Sequence, residues 1–222
     1  MKTLLCITIG QAPRNDIISS MGKYLKEFNI IQRGALDGLS KDYIEKNFSP
    51  KDSDYVLESK LKSDEYVQFA EKYILEKIQD IIYKEEKNAD LILMLCTGVF
   101  EHKFITEKNI IFPQRLIFPV VKELVGNGSL LILVPDESQI PQSKEKWGAI
   151  IEKLYCINVS PYAKNQKEFS NAVEYIEKIN PDVVFMDCMG YSKEMREFFV
   201  EKTGKSVVLG NNLIGKIISE MR

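Results

Sequence analysis

The chain has 222 residues, of which 45% are apolar and 28% are charged. That length suffices for one large α/β domain or for two lobes that each bury a core. Lys and Arg number 30 against 32 Asp and Glu, the net charge is −2, and no basic run is long enough to follow a phosphate backbone. We therefore expect no nucleic-acid partner.

Cysteine and histidine usage excludes further classes. The four cysteines are too sparse for a secreted disulfide scaffold, and a single histidine leaves no zinc site to build. No glycine-rich nucleotide fingerprint follows the first strand, and no apolar run approaches the roughly 18 residues that cross a bilayer. The short apolar start lacks a small-residue cleavage site and indicates a buried strand rather than a signal peptide. We expect a cytoplasmic protein with no cofactor, no metal and no membrane partner.

Short β-branched runs alternate with longer amphipathic stretches, which is the pattern of parallel sheets covered by helices. A short helix is also predicted after Ser40, a residue type typical of N-caps. The predicted strands lie near 4–9, 30–35, 91–95, 129–134, 156–159, 183–186 and 207–209. The predicted helices lie near 16–27, 71–86, 114–125, 144–154, 167–178, 193–202 and 212–221.

One segment breaks this alternation. Residues 55–61 and 65–69 are two strand-like runs on either side of a short polar turn, so they predict a β-hairpin inserted at about 55–70. Its role is open between a cover over a cleft and a subunit contact.

Two segments of the chain echo each other. The run at 89–98 matches the run at 181–190, since Asp, Met, Cys and Gly coincide and the apolar residues fall in register. Each run predicts a buried strand that ends in Cys-x-Gly, with Cys96 in the first and Cys188 in the second. We therefore predict a duplicated α/β unit of two similar lobes, each a parallel sheet flanked by helices. The first lobe is expected at 1–112 plus 211–222, and the second at 113–210.

The echo points to chemistry because ligands of open parallel sheets bind outside the carboxyl ends of the strands. If the halves face each other about a pseudo-twofold axis, Cys96 and Cys188 meet across one cleft, with sulfurs about 7–8 Å apart. One thiolate would remove a proton from carbon, and the other thiol would deliver one to the opposite face. Such a base needs a lowered pKa, for which a following helix N-terminus is one source.

Packing is the alternative role for a strand-end cysteine, because a free cysteine behaves as a small hydrophobe. We assign Cys6 and Cys156 to packing, whereas the shared Cys-x-Gly sequence makes Cys96 and Cys188 candidates for catalysis. Asp187 could either help or hinder catalysis by Cys188. It could orient a substrate ammonium or a thiol, but its charge would raise the pKa of a neighbouring cysteine.

Other candidate substrate contacts lie in the loops at the same edge. Arg14 could hold a carboxylate through two parallel N–H bonds, or be a solvated cation at the start of the first helix. Asn211 and Asn212 could bind ligand or cap the last helix, and Glu137 could bind an ammonium group. The remaining candidates are hydroxyl, amide and backbone positions suited to binding a carboxylate or carbonyl: Thr8, Gly10, Gln11, Thr97, Gly98, Met189 and Gly190.

The two echoed strands and their cysteines resemble the aspartate/glutamate/hydantoin racemase superfamily, whose members have two α/β lobes and a catalytic cysteine from each. More closely, nearly the whole chain resembles the AroM family. The matching features are Thr-Ile-Gly-Gln-Ala-Pro-Arg at 8–14, Val-Pro at 134–135, Met-Asp-Cys-Met-Gly at 186–190 and Asn-Asn-Leu-Ile-Gly-Lys at 211–216.

The resemblance implies a cofactor-independent racemase- or isomerase-like enzyme that binds a small-molecule carboxylate or amide, and it suggests a homodimer. Two departures bear on specificity. Gly190 and Tyr191 stand where glutamate racemases have a histidine, and residues 10–14 replace the Asp-Ser-Gly-x-Gly-Gly motif of the first loop. Glutamate is therefore not the expected substrate. A one-cysteine lyase or decarboxylase and a non-catalytic binding or regulatory protein remain alternatives.

Overall fold

A computed structural model describes residues 1–51, 53–162 and 166–222. The first half runs in chain order β1 (Lys2–Thr8), α1 (Asn15–Leu25), β2 (Phe28–Gly34), α2 (Lys41–Phe48), β3 (Val56–Lys60), β4 (Tyr66–Ala70), α3 (Leu75–Glu85), β5 (Leu91–Met94) and β6 (Ile110–Ile111). The second half continues with α4 (Pro113–Val125), β7 (Ser129–Val134), α5 (Ile140–Gly148), β8 (Lys153–Asn158), α6 (Gln166–Ile179), β9 (Val183–Met186), α7 (Lys193–Thr203), β10 (Ser206–Leu209) and α8 (Gly210–Ser219).

The strands form two parallel four-stranded sheets and one antiparallel hairpin. The first sheet has the order β2-β1-β5-β6 and the second has the order β8-β7-β9-β10. The two orders correspond strand for strand, with β1 equivalent to β7 and β5 equivalent to β9. The echoed runs thus form the same strand in each sheet, and the predicted α/β fold with a duplicated unit is confirmed.

Apolar residues alternate between two core layers along each central strand, as the period of two in a β-strand requires. In β1, Leu4 and Cys6 face the layer between the two sheets, whereas Leu5 and Ile7 face the outer layer of the first half. Residues of β7 and β9 join that middle layer, and so does Trp147 of α5. One continuous core therefore connects the halves. The domain boundaries predicted from the sequence stay a prediction.

The predicted hairpin is confirmed as β3 and β4, which pair in antiparallel register with Val56 opposite Ala70. It reaches across to the second half, because the side-chain amide of Gln142 donates to the carbonyl of Val56 at 2.8 Å and accepts from its N–H at 3.0 Å. The hairpin therefore covers the opening between the two sheets at the carboxyl ends of their strands.

Some predicted boundaries are wrong. The helix expected at 144–154 is α5, which starts at Ile140 and ends at Gly148, and the strand expected at 156–159 begins earlier, at Lys153. Pairing with β7, which places Lys153 opposite Ser129, overrides the local helical pattern. Helix α3 starts at Leu75 rather than at 71, and β6 was not predicted. The Ser40 N-cap is confirmed, since its hydroxyl accepts from the N–H of Tyr43.

Among the residues that the structure describes, no helix is both long and apolar enough to cross a membrane.

Two glycines give a matched test of packing at the first loop. A Cβ on Gly34 would lie 2.5 Å from the carbonyl oxygen of Gly10 and 2.6 Å from the nitrogen of Ala12, whereas a Cβ on Gly22 in α1 meets nothing. We expect Gly34→Ala to lower the free energy of unfolding by about 1–3 kcal/mol, because backbone cannot move aside cheaply. Gly22→Ala should instead raise it by about 0.5–1 kcal/mol through helix propensity. Urea denaturation measures both, and equal effects would contradict this packing.

Candidate active site at the carboxyl ends of the strands

A cavity of about 60 Å³ lies under the hairpin, with room for a few water molecules. Its lining includes residues one or two positions after the two central strands of each sheet: Ile9 after β1, Cys96 after β5, Pro135 after β7 and Cys188 after β9. The duplicated topology thus brings four equivalent loops to one point. Both cysteines of the echo line the same cavity.

The two thiols have matching local geometry. The N–H of Gly98 donates to Sγ of Cys96 at 3.2 Å, and the N–H of Gly190 donates to Sγ of Cys188 at 3.3 Å. Both glycines are needed for close approach, because a Cβ on Gly190 would lie 2.7 Å from the hydroxyl of Tyr162. A Cβ on Gly98 would lie 3.2 Å from the sulfur of Cys96 itself. The Cys-x-Gly sequence therefore builds the same sulfur-binding turn twice.

The two cysteine loops are tied directly to each other. The Thr97 hydroxyl donates to the carbonyl oxygen of Asp187 at 3.1 Å. Thr97 directly follows Cys96, and Asp187 directly precedes Cys188. Lys146 of α5 adds a second link, since its ammonium donates to the carbonyl of Thr97 at 3.5 Å and to Oδ2 of Asp187 at 2.5 Å. This network fixes how the thiols sit relative to each other.

Lys146 and Asp187 form a buried ion pair, with side chains only 8% and 2% exposed. The indole N–H of Trp147 donates to the same Asp187 oxygen at 2.7 Å. Burial alone would lower the pKa of Lys146, but the neighbouring Asp187 carboxylate raises it, and the net shift is upward. The pair is therefore charged on both sides and neutral overall.

Burial favours the protonated form of both thiols. It raises the pKa of Cys96 to about 12 and that of Cys188 to about 11, against the opposing effect of the glycine N–H groups. The helix N-terminus considered as a source of activation is absent at Cys96, which is followed by a loop, and α7 begins only at Lys193. The activating groups are single backbone amides and nearby side chains instead.

Cys188 has the more polar surroundings. Its sulfur lies 3.7 Å from the hydroxyl of Tyr162, and the Arg14 guanidinium lies 5.8 Å from the centre of the Tyr162 ring. Tyr66 of the hairpin stacks on that ring at 6.3 Å. Tyr162 and Arg14 both lower the pKa of Cys188, although burial outweighs them. Both cysteines also pack on an outer core, Cys96 on that of the first half and Cys188 on that of the second half.

Arg14 lines the cavity but already holds a carboxylate. Its Nε and one terminal nitrogen donate to the two oxygens of Asp16 at 2.9 and 2.7 Å, so the bidentate edge predicted for a substrate is taken by the protein itself. The other terminal nitrogen donates to the Ser59 hydroxyl of the hairpin at 3.4 Å. Arg14 is 5% exposed and therefore is not a solvated cation.

The hairpin contributes a buried carboxyl group to the cavity. Glu58 is 6% exposed and lines the cavity, with one oxygen 3.1 Å from the side-chain nitrogen of Gln68. Burial, together with the negative charge of Asp136, raises the pKa of Glu58 to about 7, although the Gln68 hydrogen bond opposes the shift. This carboxyl group titrates near neutrality.

The structure brings together seven of the predicted site residues along the cavity: Arg14, Cys96, Thr97, Gly98, Cys188, Met189 and Gly190. Six others do not line it: Thr8, Gly10, Gln11, Glu137, Asn211 and Asn212.

The six residues outside the cavity have other contacts. Thr8 and Gly10 bond to each other, Gly10 packs on Ser59, and Glu137 is exposed to solvent. The Gln11 amide donates to the carbonyls of Leu36 and Leu39, so it braces the first loop.

Asn211 neither lines the cavity nor caps α8, whose N-cap position is Leu209. Its amide donates to the carbonyls of Met189 and Tyr191 at 2.9 and 2.7 Å and so supports the Cys188 loop from behind. The side-chain amide of Asn212 donates to Oδ1 of Asn211 at 3.5 Å.

Five cavity residues have no local sequence signal that marks them: Tyr55, Glu58, Gln139, Lys146 and Tyr162. They come from the hairpin, from α5 and its approach, and from the loop after β8. The predicted hairpin at about 55–70 was the one sequence signal near any of them, and it contains Tyr55 and Glu58. Among the described residues, no group of three or more His, Cys, Asp or Glu side chains could hold a metal ion.

With the geometry established, comparisons place the chain among known proteins. A family model described as AroM protein matches residues 4–222. The chain belongs to the AroM family. A comparison with curated proteins finds no sequence match.

Solved structures share the fold of this AroM protein. Allantoin racemase from Klebsiella pneumoniae matches with a TM-score of 0.61 at 10% identity, over 99% of this chain and 87% of its own. Glutamate racemase from Francisella tularensis in complex with D-glutamate matches with 0.59 at 11% identity, over 99% and 80%. Aspartate racemase from Picrophilus torridus matches with 0.55 at 11% identity, over 99% and 94%. At these identities the likeness establishes a racemase-like fold.

Removing the buried cation tests the ion pair. We expect Lys146→Ala to lower the free energy of unfolding by about 3–5 kcal/mol, because it leaves Asp187 buried without a counter-charge. The exposed Lys144 on the same helix supplies a control, and Lys144→Ala should stay within about 0.5 kcal/mol of the parent. Urea denaturation measures the free energy of unfolding of both variants. A loss in Lys146→Ala no larger than that in Lys144→Ala would contradict the ion pair.

The raised pKa of Glu58 predicts a pH dependence of stability. The folded protein keeps the proton up to a pKa of about 7, whereas the unfolded chain loses it near 4.5. The contribution of Glu58 to stability is therefore complete below pH 4.5, falls as the pH rises towards 7, and is lost above 7, a change of at most about 3.4 kcal/mol. Glu58→Gln should become more stable than the parent across this window, as measured by denaturation at pH 4.5 and 8. A constant difference at both pH values would contradict the shift.

Proposed function

We propose that this AroM protein is a cofactor-independent racemase- or isomerase-like enzyme in which Cys96 and Cys188 are the acid and base. Its substrate is a small molecule with a carboxylate or amide next to the reacting carbon. The observation that carries the proposal is the pair of thiols lining one cavity, each with the same glycine N–H donor, at equivalent ends of a duplicated strand.

The environments of the thiols suggest how the roles divide in one direction. Cys188 has the lower pKa and the side chains that favour its thiolate, Tyr162 and Arg14, so it is the starting base once its proton leaves to solvent. Its thiolate takes the proton from the substrate carbon, and the electron pair moves into the adjacent carbonyl or carboxylate. Cys96 then gives its proton to the opposite face of the carbon.

The balance of protons makes the reaction reversible without a further reactant. After one turnover, Cys188 is a thiol and Cys96 is a thiolate, which is the state required for the reverse direction. The charge that develops on the substrate needs hydrogen-bond donors, and a water-poor cavity strengthens those it has. The backbone of the two Cys-x-Gly loops and the Tyr162 hydroxyl are the nearest sources.

A one-cysteine reaction such as decarboxylation is a second candidate, and a specific asymmetry favours it. Cys188 is partly exposed and next to Tyr162, whereas Cys96 is buried. In that case Cys188 alone would donate or accept the proton, and Cys96 would pack.

Solvent deuterium exchange tests the proposal. Purified protein in deuterated buffer is offered single enantiomers of aspartate, glutamate, allantoin and other small carboxylates or amides. Proton NMR then detects loss of the Cα signal, and circular dichroism detects inversion. We expect at least one substrate to exchange, and we expect Cys96→Ala and Cys188→Ala each to reduce exchange by about 100-fold or more, within the range that a general acid or base contributes.

The buried Cys156 provides the matched control, since Cys156→Ala removes a thiol outside the cavity and should change the rate less than about twofold. Loss of turnover in Cys188→Ala alone would favour the one-cysteine reaction. Substrates that bind without exchanging would indicate a binding protein, and unchanged rates in both cavity variants would overturn the proposal.

A further inference from the structure

Among the residues that the structure describes, one carboxyl group of the cavity has no cation beside it. Glu58 lines the cavity, and the neutral amide of Gln68 donates to it at 3.1 Å. Within the described part of the chain, no basic side chain lies within ion-pair distance of it. A buried ionised carboxylate without a partner is strongly unfavourable. The group therefore needs either a proton or a cation.

The other charges of the cavity cancel in pairs. Arg14 is held by Asp16 at 2.7 Å, and Lys146 is held by Asp187 at 2.5 Å. Neither cation is free to neutralise Glu58. When Glu58 ionises, its charge is therefore the one left over once these two ion pairs have cancelled.

A second acceptor faces the same space. Gln139 lines the cavity, is 9% exposed, and its side-chain oxygen has no hydrogen-bond donor among the described residues. Its amide nitrogen is engaged with the carbonyl of Val56 at 3.4 Å, which leaves the oxygen as the free end. A buried acceptor without a donor is unfavourable and marks a place where a ligand N–H would be bound.

The hairpin holds these acceptors near each other. Val56 is bonded to Gln139 and Gln142 of the second half, and Glu58 is two residues further along β3. Gln68, which donates to Glu58, also reaches Ser138, next in sequence to Gln139. The two acceptors thus lie on one side of the cavity, in the contact between hairpin and second half.

We propose that Glu58 and the side-chain oxygen of Gln139 form a subsite for a cationic N–H group, so that the ligand of this cavity is a small amine-bearing molecule whose ammonium is bound under the hairpin. If this ligand is a substrate, the subsite rests on the proposed function and names its substrate class. A binding protein without turnover would bind the same ammonium group there. An ammonium supplies both the positive charge for Glu58 and the N–H donors for Gln139.

Several charged and titratable groups face Glu58 and set its response to pH. The negative charge of Asp136 disfavours ionisation of Glu58, and the charge of Glu58 in turn raises the pKa of Cys188 and Tyr162. A bound ammonium would remove this effect and so favour the Cys188 thiolate. Among the described residues, the other charged groups that line the cavity are Arg14, Lys146 and Asp187, and Asp16 pairs with Arg14.

Charge-selective labelling of Cys188 tests the subsite without a known substrate. The protein is treated separately with aminoethyl, hydroxyethyl and sulfonatoethyl methanethiosulfonate, which carry a positive, neutral and negative group, and the adduct on Cys188 is followed by peptide mass spectrometry. Each labelling rate is proportional to the fraction of Cys188 that is thiolate, so this fraction cancels in the ratio of the rate with the cationic reagent to the rate with the neutral reagent. We expect this ratio at pH 8 to be about tenfold higher in the parent than in Glu58→Gln. In the parent it should rise with pH through about 7.

The exposed Glu137 supplies the control, since Glu137→Gln removes the same charge outside the cavity and should change the ratio less than about twofold. Equal ratios in the parent and Glu58→Gln, a preference for the anionic reagent in the parent, or no adduct on Cys188 with any reagent would each overturn the subsite. Failure of deuterium exchange would leave a charge-selective result standing, and would then assign the subsite to a binding protein. Deuterium exchange without charge selectivity would keep the enzyme and remove the subsite.

Discussion

The buried contact between Lys146 and Asp187 is the constraint on which the rest of the site depends. Two charges removed from water are tolerated only when they are paired and hydrogen-bonded, and here Trp147 and the carbonyl of Thr97 complete the set. Because Asp187 precedes Cys188 and Thr97 follows Cys96, the same bonds hold both cysteine loops. A helix from the second half thereby fixes a residue next to each thiol.

Duplication explains why the thiols match, and the later parts of the chain explain why they differ. Each Cys-x-Gly turn places a glycine N–H on its sulfur at nearly the same distance. The hairpin exists only in the first half and covers the cavity from that side, whereas Tyr162 follows β8 in the second half. These unique parts place Cys188 beside the Tyr162 hydroxyl and cover the cavity on the side of Cys96. The two thiols therefore share the same backbone donor and differ in their side-chain neighbours.

The sequence contained the fold in its alternation of strands and helices and in the echo around Cys96 and Cys188, because buried strands of a parallel sheet are local patterns. The hairpin was predictable for the same reason. The boundary between α5 and β8 was not, since pairing of Lys153 with Ser129 is a tertiary contact. Nor was the partner of Arg14: a cation in the first loop pointed equally to a substrate, and the nearby Asp16 is the group that binds it.

The cavity lining shows the same division. Residues that directly follow strands could be placed in the site because the topology carries them there. Lys146 and Tyr162 come from a helix and a loop whose positions depend on packing between the halves. The raised pKa of each thiol likewise follows from burial, which no spacing of residues reveals.

The proposed two-cysteine reaction requires the sulfurs of Cys96 and Cys188 to face each other across the cavity that both residues line. Short bifunctional methanethiosulfonates, with one to three carbons between the reactive groups, test it most directly in a Cys6→Ala, Cys156→Ala background. We predict that peptide mapping finds one linker joining Cys96 to Cys188 within a single chain. Replacing either of these two cysteines with Ala should abolish the link. Single-ended adducts alone, or links only between separate chains, would contradict this arrangement.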